Sequence, residues 1–110
     1  AAAMAAAALV QMLGGTPEQA LDASSIALSN LLGLVCDPVG GLVEVPCQNR
    51  NAIGVAAAFS SAQLALAGIK SLVPFDQMAH VMLSVGHALP GGIAQAPAAL
   101  SACAKCGVCG

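Results

Sequence analysis

The sequence predicts an all-α fold, and three observations support this prediction. Four stretches have the composition or the residue spacing of helices, and glycine or proline stands between them. The longest alternating pattern of the kind a β-strand needs covers only residues 41–45. No internal repeat is visible. We therefore expect a helical domain that is interrupted by a Gly- and Pro-rich loop carrying two cysteines.

The first two helices are predicted from composition and from a capping motif. Residues 1–13 are almost all Ala, Leu, Val and Met, and they predict a buried helix that a Gly-Gly pair ends. Thr16, Pro17 and Gln19 have the spacing of a capping box and predict a second helix that runs to about Leu32. Its expected buried face consists of Ala20, Leu21, Ser24, Ala27, Leu28, Leu31 and Leu32.

The stretch 33–51 is expected to be a shaped loop between the second and third helices. Cys36 and Cys47 stand toward its two ends, with Pro38 and a Gly-Gly pair between them. Proline fixes its own φ angle, and glycine allows turns that other residues avoid. The loop can therefore fold its two sulfurs back toward one point.

Two more helices are expected after this loop. Residues 51–69 resume a helical pattern, and their small residues predict close packing of a neighbouring helix. These small residues are Gly54, Ala56, Ala57 and Ala58. A fourth helix is expected from Pro74 to about His87, before the Pro-Gly-Gly sequence at 90–92.

The composition predicts that other molecules or other residues cover much of this surface. Of the 110 residues, 58% are hydrophobic and only 7% are charged, whereas soluble domains carry about a quarter charged residues. The candidates for what covers this surface are a membrane, a partner chain or further residues of the same polypeptide. The uncharged run 52–69 is rich in Ala and contains Ser60, Ser61 and Gln63, which argues against a membrane span.

Charge and cysteine content argue against a nucleic-acid-binding protein and against a secreted, disulfide-bonded one. The net charge is −2, and the three basic residues are scattered, which argues against nucleic-acid binding. The N-terminus lacks the basic region of a secretory signal, and five cysteines make a disulfide framework a poor interpretation. Reduced thiols that bind a metal in the cytoplasm fit better.

Several residues are candidates for chemistry. Cys36 and Cys47, with ten residues between them, are metal ligands or buried thiols. His80 and His87 lie seven residues apart, without the spacing of a helical metal pair, and each is expected to be a helix-face or core histidine. A third motif, Cys103-x-x-Cys106-x-x-Cys109, has the spacing used around cubane iron–sulfur clusters, while zinc binding and exposed reduced thiols remain alternatives for this tail.

The segment 33–54, GLVCDPVGGLVEVPCQNRNAIG, resembles the cysteine loop of the iron–sulfur-dependent L-serine dehydratases. Its flanking sequences MAAAALVQMLGGTPEQALDASSIALSNLLGLVC and LALAGIKSLVPFDQM resemble the alpha chain of the two-subunit form of these enzymes. The likeness extends over residues 1–90. It implies that the chain is the C-terminal part of a longer subunit, with residues 1–90 in a larger helical catalytic domain and 91–110 as a cysteine-containing tail.

The resemblance also implies a cofactor and a reaction. A [4Fe-4S] cluster would act as a Lewis acid while L-serine loses water to give pyruvate and ammonia, a step of amino-acid degradation and gluconeogenesis. Cys36 and Cys47 match two of the three cluster cysteines of the family, and the third is expected upstream of Ala1. Cys109 is expected to reach the active site and bind the remaining iron. Arg50 and Asn51 are expected to support the cluster or to contact substrate.

The expected partners are the remainder of the alpha chain and either a beta chain or a second copy of the chain. The expected location is the cytoplasm. The general base of the reaction is expected outside this segment. The family usually has an Arg-Glu-Thr segment between the positions of Pro90 and Gly91, which this sequence lacks.

Two other classes of function remain. One is an electron carrier without catalytic activity, with Cys103, Cys106 and Cys109 as cluster ligands, and the other is a helical interaction module whose thiols are incidental.

Overall fold

The computed structural model describes residues 1–34 and 44–89, with residues 44–46 described by their backbone alone. These ranges contain four α-helices, α1 (Ala2–Met12), α2 (Pro17–Ser29), α3 (Glu44–Leu66) and α4 (Phe75–Ala88). They contain no strand, so the predicted all-α class is confirmed. Helices α1, α2 and α3 pack against one another, and α4 packs against α2.

Helix α1 forms where it was predicted, but it is buried on one face only. Ala6 and Val10 are fully buried, whereas Met4 and Met12 are 74% and 81% exposed. The expectation of a buried helix is therefore wrong for the outer face of α1. Alanine and methionine favour helix formation wherever they lie, so the composition of this stretch predicts a helix without indicating its buried side.

The turn after α1 depends on two consecutive glycines. Gly14 has a φ of 78°, a conformation in which side chains are strained. At Gly15, an added Cβ would lie 2.5 Å from Val10 Cγ1 and 2.8 Å from Leu66 Cδ2. The absence of a side chain at this position therefore lets the turn pack against the ends of α1 and α3.

Helix α2 begins with the predicted capping box. The Gln19 backbone N–H donates to Thr16 Oγ1 at 3.2 Å, and the Thr16 N–H donates to Gln19 Oε1 at 2.9 Å. Pro17 occupies the first helical position. Gln19 Nε2 also donates to the Ala65 carbonyl at 3.1 Å, so the cap connects the start of α2 to the end of α3.

Helix α2 ends at Ser29, three residues before the predicted Leu32. The side chains of Ser29 and Asn30 both donate to the Ile26 carbonyl, at 2.8 and 2.9 Å. Such local bonds from side chain to backbone compete with continuation of the helix. Gly33, with a φ of 78°, then turns the chain away from the axis of α2.

The buried face of α2 differs in part from the predicted one. Ser24 and Ala27 are buried as expected, but Ala23 and Ser25 are also buried and Leu21 is 53% exposed. Because three other helices pack against α2, small residues fit on its buried side. The larger side chain of Leu21 lies on the exposed side of the helix. Spacing alone does not distinguish a small buried residue from a large exposed one.

The core between α1, α2 and α3 is made almost entirely of small side chains. It consists of Ala6, Val10, Ala23, Ala27, Ala58, Ala62 and Ala65, with Leu9, Ala20 and Leu66 packed against it. Of the small residues predicted to allow close packing on α3, Ala58 is buried, Gly54 and Ala57 are half-buried and Ala56 is exposed. The prediction of close helix packing is confirmed for the buried stripe of α3.

Helix α3 begins at Glu44, seven residues before the predicted start. The expectation of a loop is therefore wrong for residues 44–51, and Cys47 lies inside a helix. Pro46 is compatible with this because it occupies the first turn, where backbone N–H groups have no partner within the helix. The predicted end at residue 69 is also late, since α3 ends at Leu66 and Gly68 has a φ of 89°.

Hydrogen bonds fix the segment between α3 and α4 against α2. The Ser71 N–H donates to Asp22 Oδ1 at 3.0 Å, and the hydroxyls of Ser71 and Ser25 lie 3.0 Å apart. Ser25 Oγ donates to the Val73 carbonyl at 2.5 Å. These contacts place the start of α4, whose Met78 is buried, against α2.

Several large apolar side chains of α3 are exposed. Ile53, Val55 and Phe59 are 63%, 58% and 53% exposed, and the helix carries no charged residue after Arg50. Among the described helices, none has the length and hydropathy needed to cross a bilayer. These exposed side chains agree with the expectation, drawn from composition, that other molecules or other residues cover part of this surface.

We expect Thr16→Ala to lower the free energy of unfolding by about 1 kcal/mol, because the Gln19 N–H loses its acceptor. Thr16→Ser keeps the hydroxyl and is the matched control, with little change expected. Urea-induced unfolding followed by circular dichroism measures both variants. Equal stability of the alanine and serine variants would show that the capping bonds contribute nothing.

We expect Gly15→Ala to destabilise the protein by about 1–3 kcal/mol, because the added methyl overlaps Val10 and Leu66. Gly54→Ala is the control, since an added Cβ there meets only Ala2 Cβ, at 3.7 Å. In a helix interior this change is expected to stabilise by about 0.5–1 kcal/mol. The difference in thermal midpoints between the two variants tests the close packing at Gly15.

Candidate functional site

Cys47 is placed by the first turn of α3, three residues after its start. Its side chain is partly exposed and forms no disulfide. The start of a helix carries unpaired N–H groups and a partial positive charge, which favour a negatively charged group nearby. Cys47 therefore lies near the end of α3 at which an electron-rich group is favoured, with part of its side chain accessible.

Three other residues share the helical face of Cys47. Arg50, Asn51 and Gly54 follow it by three, four and seven residues, the spacings that place side chains above one another on a helix. The expected substrate-contact residues Arg50 and Asn51 therefore lie on the same face as the expected cluster ligand. This alignment depends on α3 beginning before Cys47.

A half-open cavity of about 520 Å³ borders this face, between α1, the residues that follow α2, and α3. Its walls are mostly apolar. They are formed by Ala1, Ala2, Ala5, Leu31, Leu34, Arg50, Asn51, Gly54 and Val55. Cys47 is not part of the lining and lies one helical turn before Asn51. Residues distant in sequence thus enclose a space next to the cysteine-bearing turn.

Several expected site residues lie outside the described ranges. Cys36 and Cys109 are among them, as are Cys103 and Cys106, so their placement remains a prediction. Leu34, which the structure does describe, lines the cavity and is two residues before Cys36. The described residues contain no group of three or more His, Cys, Asp or Glu side chains able to hold a metal ion.

His80 and His87 both lie exposed on α4. Of the two expected roles, the structure therefore shows helix-face residues and not core histidines. Neither lines the cavity beside Arg50. Among the described residues, the histidines are therefore separate from the face that carries Cys47.

Sequence reasoning missed part of this site. Gly54 was interpreted only as a packing residue, and Leu31 only as part of the buried face of α2, yet both line the cavity. The seven-residue spacing between Cys47 and Gly54 is a signal for their shared face, provided that the helix is extended back to Cys47. The contribution of α1 has no local signal, because it depends on how α1 packs against α3.

The described residues form a helical unit in which a cavity lies beside a cysteine-bearing turn. A family model described as "Serine dehydratase alpha chain" matches residues 1–100, and the chain belongs to this family. The predicted family resemblance is confirmed.

Individual relatives agree with this assignment. The chain is 64% identical over 89 residues to the "L-serine dehydratase, alpha chain" of Peptoniphilus asaccharolyticus, which covers 81% of this chain and 30% of that protein. It is 48% identical over 87 residues to "L-serine dehydratase" of Mycobacterium tuberculosis and 44% identical over 87 residues to "L-serine dehydratase 1" of Escherichia coli. Each of these two matches covers 78% of this chain and 19% of the relative. The chain thus spans less than a third of these relatives.

Proposed function

We propose that this chain is part of an enzyme that eliminates water from L-serine and gives pyruvate and ammonia. Relatives that match most of the chain are named L-serine dehydratases, which supports this reaction. The structural observation that carries the proposal is the cavity beside the cysteine-bearing turn of α3, with Arg50 and Asn51 in its wall. The complete enzyme includes the rest of the alpha chain and a beta chain or a second copy.

The proposed cofactor is a [4Fe-4S] cluster held by Cys36, Cys47 and a third cysteine upstream of Ala1, with Cys109 reaching the remaining iron. Iron–sulfur clusters bind cysteine thiolates, and Cys47 is partly exposed, unbridged and at the positive end of a helix, so it fits this role. When bound, the cluster would supply a Lewis-acidic iron that polarises the hydroxyl group leaving L-serine.

The chain can bring Cys36 to the same region. Leu34 lines the cavity that Arg50 also lines, and two peptide units of about 3.8 Å each connect Leu34 to Cys36. Leu34, two residues before Cys36, and Arg50, three residues after Cys47, thus line the same cavity. This arrangement supports the proposal that both sulfurs bind one cluster.

The residues of this chain also control the surroundings of the reaction. Leu31, Leu34 and Val55 give the cavity a mostly apolar lining, so Arg50 and Asn51 supply its polar side chains among the described residues. The base that removes the Cα proton is proposed to come from outside the described residues, since neither His80 nor His87 lines the cavity. We propose the cytoplasm as the setting, because thiols are kept reduced there.

In the complete enzyme, purified without oxygen, Cys47→Ser and Cys36→Ser are each expected to lose most bound iron and sulfide. Pyruvate formation from L-serine is expected to fall by at least about 100-fold, since a hydroxyl is a poor substitute for a thiolate ligand of iron. Iron and sulfide analysis and a pyruvate assay measure these effects. Wild-type iron content in both variants would contradict the cluster assignment.

Cys106→Ser is the matched control, because this cysteine belongs to the tail motif and not to the proposed ligand set. We expect it to retain iron and activity. The alternative function is an electron carrier with Cys103, Cys106 and Cys109 as ligands. It predicts that Cys106→Ser loses bound iron. It also predicts a reversible reduction of the cluster in the visible spectrum and no pyruvate from L-serine.

A further inference from the structure

Helix α4 is attached to the other described helices mainly at its N-terminal end. Among residues 75–88, only Met78 is buried, and it is the fourth residue of the helix. Residues 80–84 are exposed, and Val85 and Gly86 are half-buried. The principal helix that α4 contacts is α2. The second half of α4 therefore adds little packing to the described helices.

A cluster of polar groups just before α4 holds this end. Ser25 is fully buried on α2, and its hydroxyl donates to the Val73 carbonyl and lies 3.0 Å from Ser71 Oγ. Ser71 Oγ lies 2.8 Å from the same Val73 carbonyl, and the Ser71 N–H donates to Asp22 Oδ1 at 3.0 Å. We call Asp22, Ser25, Ser71 and Val73 the α4 latch. The latch joins α2 to the chain that enters α4.

The neighbouring serine of α2 holds a different helix. Ser24 is also buried, and its hydroxyl donates to the Ala3 carbonyl of α1 at 3.0 Å. Helices α1, α2 and α3 are joined in addition by their shared core of alanines and Val10. Helix α4 has Met78 as its one buried side chain, so its attachment depends more on the latch than the attachment of α1 depends on Ser24.

We propose that α4 is a hinged arm, which the latch holds against α2 and which leaves α2 while α1, α2 and α3 stay packed. The hinge lies in residues 67–74, where Gly68 has a φ of 89° and Leu72 is fully exposed. Segments with few buried apolar contacts open at a lower free energy than the core of a protein. This opening needs neither the cofactor nor the reaction proposed above.

Opening of the arm moves the chain that follows it. The end of α4 at Ala88 lies about 15 Å from Met78, at about 1.5 Å per residue along the helix axis. A rotation of about 20° near Met78 therefore displaces the end of α4 by about 5 Å. The sequence continues from there to Cys103, Cys106 and Cys109. The latch thus sets the point from which this cysteine motif extends.

Hydrogen exchange in the complete enzyme, followed by mass spectrometry of peptides from each helix, tests the latch. A free helix of 14 residues is marginally stable in water, so the α4 amides exchange once the arm leaves α2. We expect Ser25→Ala to accelerate exchange in α4 by about 3- to 30-fold, because the bonds to Val73 and Ser71 are lost. Exchange in α1 and α3 is expected to change by less than about twofold, since their shared core is intact.

Ser24→Ala is the matched control, because it makes the same change at the adjacent buried serine. We expect it to accelerate exchange in α1 and to leave α4 at the wild-type rate. A second pair of variants tests the other side of the latch. Asp22→Ala removes the acceptor of the Ser71 N–H and is expected to accelerate exchange in α4, whereas Asp22→Asn keeps an acceptor oxygen and is expected to have a smaller effect.

Unchanged exchange in α4 of Ser25→Ala, or the same acceleration in all four helices, would overturn the hinged arm. If Ser25→Ala does not fold, the comparison of Asp22→Ala with Asp22→Asn decides in the same way, because Asp22 is only partly buried. An enzyme that lacks iron and forms no pyruvate would refute the proposed function, whereas faster exchange confined to α4 would still support the arm.

Discussion

The close approach of α1, α2 and α3 is the constraint on which the rest of this structure depends. Alanines at the contacts between these helices, together with the bare backbone at Gly15, allow the approach. The same approach encloses the cavity, because α1 forms one of its walls and α3 another. Each alanine buries little apolar area, so the site exists because the helices come close together and not because large side chains fill a core.

Local patterns in the sequence predict much of this fold. Features that depend on contacts between residues distant in sequence were not predicted. The capping box at Thr16 and Gln19 was predicted correctly because both partners lie within one turn of each other. The start of α3 was predicted late because the Pro and Gly residues before Cys47 were interpreted as a continuous loop, although proline is compatible with a first helical turn. The exposure of Leu21 depends on which helices surround α2, and its spacing carries no information about them.

The candidate site also combines residues that a local motif predicts with residues that only long-range packing brings together. Arg50 and Asn51 were recognised from the motif, and the structure places both in one cavity wall. The opposing wall was not predicted, because it depends on the packing of α1 against α3 across more than forty residues of sequence. Cys36 and Cys109 lie outside the described residues, so the ligand set that the family resemblance implies remains a proposal.

The exposed apolar side chains of α3 have a consequence for handling the protein. Ile53, Val55 and Phe59 are each more than half exposed. Because exposed apolar side chains favour association in water, these helices on their own are best handled at low protein concentration.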